Sequence, residues 1–250
     1  MKRAERLESI LELLSSDGSV AVSELTSKLG ASAATVRRDL ELLEEQKLLS
    51  RTHGGAVGNG TLYELPVRYR GGQHATEKRR IADAAVARIG DARTVGLSGG
   101  TTTTEVARRL RDRDLTVVTN AVNIASELVV AQSIRLVVTG GVARAQSYEL
   151  IGPLADATLA GLNVDLLFIG VDGATSDGMT THDELEAQTD RQMVERASRV
   201  IVVCDSSKIG RAALSVICGA AQVDALITDS GARADEVAAL RKAGIEVETV

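Results

Sequence analysis

One short stretch, residues 24–43, constrains the fold of this 250-residue chain more than any other. Leu25 and Leu29 are four residues apart and so share one face of a helix, and Gly30 then supplies the backbone freedom that commonly ends a helix. A second apolar stripe follows at helical spacing, and its members are Val36, Leu40 and Leu43. Two short helices joined by a tight turn are typical of a helix-turn-helix.

Polar residues on the second of these helices point to DNA. Ser32 can cap the helix by accepting a hydrogen bond from a free backbone N–H. Residues outside the apolar stripe face away from the core, and the second helix of a helix-turn-helix lies in the major groove. The residues of this helix predicted to contact DNA are Ser32, Thr35, Arg37 and Arg38. The alternative is that the two arginines form surface ion pairs with Asp39 or Glu41 and do not affect DNA binding.

The flanking segments complete a winged helix-turn-helix. A preceding amphipathic helix is predicted from the apolar positions Leu7, Ile10, Leu11 and Leu14. Short strand signals around Gly54 and Gly55 indicate a β-hairpin, which would be the wing. In this hairpin Arg51 and His53 are placed to contact DNA phosphates. Contacts to phosphates position a protein on DNA but do not read the base sequence. We assign residues 1–57 to this DNA-binding domain.

The rest of the chain has the pattern of an α/β domain. We interpret residues 58–75 as a linker, because they begin with Gly58-Asn59-Gly60 and show no clear period. From residue 76 onward helical and strand patterns alternate, and the strands are continuous runs of Val, Ile and Leu. The predicted strands are residues 94–97, 115–119, 134–139, 164–171, 200–205, 223–228 and 245–250. Such runs are expected when helices cover both faces of a sheet, so we predict a largely parallel sheet in residues 76–250.

Composition argues against several classes of function. A net charge of −5 does not fit a protein that coats nucleic acid non-specifically. Five basic residues in and just after the linker are interpreted as a solvated charged face, with a second DNA contact as the alternative, and they are Arg68, Arg70, Lys78, Arg79 and Arg80. Cys204 and Cys218, the only cysteines, lack metal-site spacing, so we expect two idle thiols and no bound metal. No apolar run is long enough to cross a membrane and the N-terminus lacks a signal pattern. We therefore expect a cytoplasmic protein with no membrane partner and no cofactor.

The loop after the first strand of the second domain has the chemistry of an anion site. It opens a predicted helix and reads Ser98-Gly99-Gly100-Thr101-Thr102-Thr103-Thr104. Glycines allow close approach, hydroxyls and free N–H groups donate hydrogen bonds, and the helix dipole favours an anion. The loop is neither a Walker A nor a G-x-G-x-x-G motif, which favours a small phosphorylated ligand over a nucleotide. The structural alternative is a glycine-rich turn with a capping threonine, but a cap needs one threonine rather than four.

Polar residues also follow other predicted strands. Those assigned to the same ligand site are Asn120, Gly141, Asp172 and Lys208. In open α/β sheets ligands bind beyond the carboxyl ends of the strands, which lie along one edge of a parallel sheet. Lys208 has two interpretations, a contact with a ligand anion or an ion pair with Asp205.

The combination of motifs resembles the DeoR family of bacterial transcriptional regulators. Residues 6–57, with T-V-R-R-D-L-E-L-L-E and R-T-H-G-G-A, resemble the N-terminal region of that family. The second half resembles its sensor domain through S-G-G-T-T-T at 98–103, V-V-T-N at 117–120, G-G at 140–141, F-I-G-V-D-G at 168–173 and D-S-S-K-I-G at 205–210. The resemblance implies a repressor whose affinity for DNA is changed by a sugar phosphate.

The sensor domain is in turn similar to ribose-5-phosphate isomerase and related enzymes. Their phosphate loop corresponds to residues 98–104 and their Asp-Gly-Ala-Asp motif to residues 172–175, with Thr175 in place of the second acid. The catalytic Glu of the isomerase falls near Arg191, and Asp190 stands where the DeoR family commonly has Lys. Proton transfer between sugar carbons needs a carboxylate base, so the resemblance implies that binding is kept while catalysis is lost.

Taken together, these patterns predict a transcriptional regulator that binds a double-stranded DNA operator and is controlled by a phosphorylated sugar. An active sugar-phosphate isomerase with a DNA-binding appendage is the alternative, and a protein-interaction module with a degenerate pocket is a third hypothesis. Because a single helix-turn-helix domain contacts few base pairs, we expect a homo-oligomer, either a dimer or a tetramer.

Overall fold

The chain divides into two units, Met1–Gln73 and His74–Val250, and the first is built from helices and short strands. The computed structural model describes residues 1–58 and 65–250, except for the side chains of residues 15 and 16. The helices of the first unit are α1 Arg3–Asp17, α2 Val22–Leu29 and α3 Ala33–Glu45. Its strands are β1 Ser19–Ala21, β2 Leu49–Thr52 and β3 Gly55–Gly58.

The apolar stripes of α1, α2 and α3 form a single core in this unit. Its fully buried side chains include Ile10, Leu11, Leu25, Val36, Leu40 and Leu43. The three strands form an antiparallel sheet in the order β1-β3-β2, which is the predicted wing. Three helices with a strand hairpin confirm the winged helix-turn-helix.

Part of the predicted linker belongs to this first unit. Leu65 packs against the helical core, and Tyr69, in a short 3₁₀ helix over Val67–Tyr69, is buried in it. The Tyr69 hydroxyl lies 2.5 Å from Gln46 Oε1, just beyond the end of α3. Residues 59–64 of the predicted linker lie outside the described residues. Residues 65–73 are therefore a structural extension of the winged unit.

The second unit alternates strands and helices from residue 75 to the C-terminus. Its helices are α4 Ala75–Ala87, α5 Thr101–Leu110, α6 Val122–Leu128, α7 Pro153–Ala160, α8 Glu184–Glu195 and α9 Ala234–Lys242. Its strands are β4 Thr94–Leu97, β5 Leu115–Thr119, β6 Ile134–Val138, β7 Val142–Ala143, β8 Leu150–Ile151, β9 Leu166–Ile169, β10 Gly173–Thr175, β11 Gly178–Thr181, β12 Val200–Val203, β13 Ser215–Gly219, β14 Ala225–Thr228 and β15 Glu246–Thr249. Short 3₁₀ helices cover Ser206–Lys208 and Ala220–Gln222.

Seven of these strands form one fully parallel sheet in the order β15-β14-β12-β9-β4-β5-β6. Apolar clusters cover both faces, one with side chains of α4, α5 and α6, and the other with side chains of α7, α8 and α9. The continuous apolar runs are therefore explained by burial on two sides, and the predicted parallel sheet is confirmed.

The strand order reverses at the centre of this sheet. From β4 the chain moves outward through β5 and β6, whereas from β9 it moves to the other side through β12, β14 and β15. The crevice beyond the carboxyl ends of β4 and β9 is thus the topological switch point, where open α/β sheets bind ligands. The predicted anion loop, residues 98–104, begins at this point.

A second, antiparallel sheet in the order β10-β11-β13 was not predicted from the sequence. Strands β10 and β11 are only three and four residues long and are rich in glycine and threonine, and the apolar part of β13 is only three residues long, so none shows the longer apolar run of the central strands. The two-stranded β7-β8 pair and α7 were also missed. In the part of the chain that the structure describes, no helix has the length and apolarity needed to span a membrane.

Candidate DNA-binding surface and effector site

The turn and cap of the helix-turn-helix follow from two residues. Gly30 ends α2 with a φ of +61°, a left-handed conformation that glycine adopts without steric cost. Ser32 then caps α3, since its Oγ accepts a hydrogen bond from the backbone N–H of Thr35 at 3.2 Å. The two hydroxyl oxygens of Ser32 and Thr35 are 2.9 Å apart. Both residues are thus engaged in forming the start of α3, while their side chains remain at the surface.

Arg37 and Arg38 are exposed on α3, and neither has a hydrogen bond or ion pair within residues 1–58 and 65–250. The partners that the alternative interpretation needs are engaged elsewhere. Asp39 is 2% exposed and accepts a hydrogen bond from Arg6 Nε at 2.5 Å, which raises the pKa of Arg6. Glu41 pairs with Arg51 at 3.3 Å. Both guanidinium groups on the outer face of α3 are therefore available to an external partner.

Arg51 of the wing is held by α3. Its Nε lies 2.8 Å from Glu44 Oε2, and its backbone N–H donates to Glu44 Oε1 at 2.9 Å. The backbone bond is the main cause that lowers the pKa of Glu44. Arg51 was predicted as a phosphate contact, and it can act as one only if it shares or leaves these carboxylates. The same contacts join β2 to α3.

A surface cavity of about 790 Å³ lies between the helix-turn-helix and the wing. Its lining brings together three of the predicted DNA contacts, Arg37, Arg51 and His53. Ser32, Thr35 and Arg38 do not line it. The concave side of this unit thus combines one residue of the exposed helix face with the tip of the wing.

In the second unit, the anion loop uses its hydroxyls unequally. Gly100 has a φ of +122° and precedes α5. The hydroxyls of Thr103 and Thr104 donate to the Gly100 carbonyl at 3.1 and 2.6 Å. Because a hydroxyl has a single proton to donate, those two cannot also donate to a ligand. Thr101 and Thr102 have no side-chain partner among the described residues, so the loop offers two free hydroxyls and the unpaired N–H groups of the first helical turn.

Ser98 and Gly99 join the loop to the neighbouring strand. Ser98 is completely buried, and its Oγ accepts a hydrogen bond from the Gly170 N–H at 3.0 Å, just after β9. A Cβ atom on Gly170 would lie 2.9 Å from the Gly99 carbonyl oxygen. The two loops at the switch point are therefore in direct contact. The Ser98 hydroxyl, predicted as a ligand contact, is used to hold them together.

Asn120 and Gly141 have different environments at the ends of β5 and β6. Asn120 is 0% exposed, and neither atom of its side-chain amide has a hydrogen-bond partner within the described residues. Buried amides are normally paired, so this side chain has its full hydrogen-bonding capacity unused. Gly141 has a φ of +121°, and a Cβ there would lie 2.8 Å from the Ile151 carbonyl oxygen. The close approach of β8 explains this glycine without a ligand.

The structure places Asp172 and Lys208 together. Lys208 Nζ lies 3.3 Å from Asp172 Oδ1, and Thr181 Oγ1 is 3.1 Å from Asp172 Oδ2. The alternative pairing of Lys208 with Asp205 is therefore wrong. Asp205 instead accepts hydrogen bonds from the backbone N–H and hydroxyl of Ser207, at the start of the 3₁₀ helix.

Four charged residues that the sequence analysis did not assign to the ligand site lie with this group, and they are Arg144, Glu149, Glu186 and Asp190. Arg144 contacts Glu186 Oε1 at 2.9 Å, and Thr181 lies 3.3 Å from Glu186 Oε2. Burial, reinforced by the neighbouring carboxylates, raises the pKa values of Glu149 and Asp190 well above their usual range. Glu149 and Asp190 thus supply two buried carboxyls that the motif comparison did not assign to the site.

The environment of Lys78 also differs from the one predicted from the sequence. The sequence predicts a solvated basic face there, but Lys78 is 4% exposed, and its Nζ lies 4.0 Å from Asp205 Oδ2.

Cys204 and Cys218 are both buried, and burial raises the pKa of Cys218 to about 11. A thiol with such a pKa is unreactive near neutral pH, as predicted.

These features define a class of protein in which one chain joins a winged helix-turn-helix unit to an α/β unit with a glycine- and threonine-rich loop at its switch point. The profile of the DeoR-like helix-turn-helix domain matches residues 6–61, and that of the DeoR C-terminal sensor domain matches residues 73–230. The chain belongs to the DeoR family of transcriptional regulators.

Relatives match along nearly the whole chain. A putative aga operon transcriptional repressor of Escherichia coli O157:H7 is 40% identical over 249 residues, which are 98% of this chain and 93% of the relative. The HTH-type transcriptional regulator GlpR of Haloferax volcanii is 37% identical over 250 residues, with 99% and 98% coverage. The glycerol-3-phosphate regulon repressor of Escherichia coli K12 is 34% identical over 232 residues, 92% of each chain. These relatives are named as regulators, not enzymes.

Among solved structures, ribose 5-phosphate isomerase A of Methanocaldococcus jannaschii is similar with a TM-score of 0.41 and 18% identity. The match covers 58% of this chain and 56% of the isomerase. A likeness of this size has no bearing on chemistry.

Proposed function

We propose that this protein represses genes of sugar metabolism from the cytoplasm, binding an operator through α3 and the wing and releasing it when a small phosphorylated sugar occupies the second unit. The observation that carries the proposal is the loop at the switch point between β4 and β9, where the hydroxyls of Thr101 and Thr102, at the start of α5, have no partner among the described residues. A helix N-terminus with unused donors favours a phosphate.

Several features of the first unit support operator recognition. Arg37 and Arg38 are exposed and unpaired among the described residues, so they can meet base edges at no cost in internal ion pairs. Arg51 and His53 line the cavity beside α3, where DNA phosphates would pass. The relatives named as operon and regulon repressors make repression the favoured direction of control.

The proposal requires coupling between the two sites. A ligand changes DNA affinity only if it binds the free and DNA-bound states unequally. We also infer that the protein is at least a dimer. Regulators with a helix-turn-helix domain usually bind as dimers to two operator half-sites about one turn of DNA, roughly 34 Å, apart.

The test replaces Thr101 and Thr102 together by Val, which keeps the branched shape and removes two hydroxyl donors. Each hydrogen bond to a charged phosphate contributes about 1.5–3 kcal/mol, so affinity for the phosphorylated sugar should fall at least tenfold. Operator binding without sugar should remain, and the variant should stay on its operator at sugar concentrations that release the wild type.

A matched control is the double variant Thr94→Val/Thr116→Val, which makes the same chemical change on neighbouring strands near the opposite, amino end of the sheet. It should respond to sugar as the wild type does. Release of the Thr101/Thr102 variant at the wild-type sugar concentration, measured by fluorescence anisotropy of labelled operator, would place the phosphate site elsewhere.

A further inference from the structure

The carboxyl groups near the anion loop are not balanced by cations. Asp172 is paired with Lys208 at 3.3 Å and Glu186 with Arg144 at 2.9 Å. Two further carboxyls, those of Glu149 and Asp190, have no ion pair with Lys, Arg or His anywhere in the described parts of the chain. They are 5% and 3% exposed, respectively. Carboxylates without a cation are rarely buried so completely.

Unused hydrogen-bonding atoms lie in the same region. Glu149 Oε2 and Asp190 Oδ1 are buried and have no partner among the residues that the structure describes. Asn120, an independent and uncharged residue, has both amide atoms unpaired and is fully buried. Its neighbour Ala121 forms a β-bridge with Glu149, so the unpaired amide and the unpaired carboxyl belong to adjacent segments. Unpaired atoms of this kind call for a partner from outside the chain.

These groups directly adjoin the proposed phosphate loop. A Cβ atom on Gly99 would lie 2.0 Å from Glu149 Oε1, so the Glu149 carboxyl lies directly against the loop. Asp190 and Glu149 interact electrostatically with each other and with Asp172. One small ligand can therefore contact the loop with its phosphate while its other end reaches the unbalanced carboxyls.

We propose that the effector is a phosphorylated amino sugar, whose protonated amine is bound by Glu149 and Asp190 while its phosphate is bound by residues 98–104. An ammonium group carries one positive charge and donor protons only, which matches two unpaired carboxylate oxygens. A metal ion is a poorer match, since no group of three or more His, Cys, Asp or Glu side chains within residues 1–58 and 65–250 has the geometry to hold one. The proposal rests on the proposed function, because it names the ligand class of the same site.

Isothermal titration calorimetry of the full chain tests it with hexosamine 6-phosphates of the gluco and galacto series. Each is compared with its 2-hydroxyl and N-acetyl counterparts, and with inorganic phosphate. We expect at least one amine to bind at least tenfold more tightly than both of its counterparts, because only the amine is charged. Equal or tighter binding of the hydroxyl or N-acetyl sugars would overturn the ammonium assignment and leave the proposed function intact. Failure of every phosphorylated sugar to bind would overturn both.

Two conservative variants locate the ammonium site. Asp190→Asn and Glu149→Gln should each reduce the preference for the amine at least tenfold while the hydroxyl sugar keeps its affinity within about threefold. Asp91→Asn, an exposed change at the amino end of the sheet, is the control and should keep the preference. A preference that survives in both folded variants would overturn the assignment of these residues. If a variant does not fold, the wild-type comparison still decides the ligand class.

Discussion

Replacing Arg37 or Arg38 by Ala should weaken specific DNA binding without destabilising the protein. Both side chains are exposed and have no ion pair in the described parts of the chain, so their removal breaks nothing in the free protein. Surface changes of this kind alter stability by about 0.5 kcal/mol or less. An arginine that reads a guanine edge contributes about 1–3 kcal/mol to the complex. At about 1.4 kcal/mol per factor of ten, operator affinity should fall by roughly 5- to 150-fold.

The assay is fluorescence anisotropy with labelled operator and a scrambled duplex, at two salt concentrations. The variants Arg37→Lys and Arg38→Lys distinguish recognition of a base from simple attraction between charges. Lysine keeps the positive charge but cannot donate the two parallel hydrogen bonds that an arginine guanidinium makes to a guanine. Both variants should lose operator affinity while binding to the scrambled duplex stays unchanged. Arg135→Ala, an exposed arginine on β6 of the second unit, is the control. Wild-type operator affinity in both alanine variants would refute the recognition-helix assignment, and equal losses on both duplexes would show phosphate contact instead.

Three other outcomes follow from the same features. Arg51→Ala should weaken binding to operator and random DNA alike and reduce the salt slope by about 0.9 per lost phosphate contact; a change in sequence preference at constant affinity would contradict this. Burial raises the pKa values of Glu149 and Asp190, so the protonated carboxyls favour the folded state. Their contribution to the free energy of unfolding is fully present below the pKa values of the unfolded chain, about 4, and is lost as the pH rises toward the pKa values of the folded protein. The Tm of the wild type should thus fall relative to that of Glu149→Gln/Asp190→Asn as the pH rises above about 4.5, and parallel curves would refute it. Sedimentation should show at least a dimer at micromolar concentration, and a monomer with and without DNA would overturn the proposed pairing of half-sites.

Local patterns were enough to predict the elements that bury a regular apolar face. The stripe of Val36, Leu40 and Leu43 required one orientation of α3, which left Arg37 and Arg38 outside. The Val, Ile and Leu runs of the central strands likewise required helices on both faces of the sheet. In each case burial of a periodic set of side chains is a local property of the sequence, so it can be read without tertiary information.

The small antiparallel sheet could not be found in this way. Strands β10 and β11 are short, and their threonine and glycine residues satisfy backbone pairing and close approach rather than an apolar period. The pairing of β11 with β13 joins segments more than thirty residues apart in the sequence, so no local window contains it.

The chain alone determined which residue types reach the rim of the parallel sheet, because the carboxyl ends of parallel strands must lie on one edge. It specified the glycines and threonines of residues 98–104 and the polar residues Asn120, Asp172 and Lys208. Only the tertiary structure decided which of their atoms remain free. Within the described residues, hydrogen bonds engage the hydroxyls of Thr103 and Thr104 but not those of Thr101 and Thr102, and long-range packing brings Glu149 and Asp190 together without a cation from the same residues. Hydrogen-bond and charge balance depend on distances between segments far apart in the chain, and these distances exist only after folding.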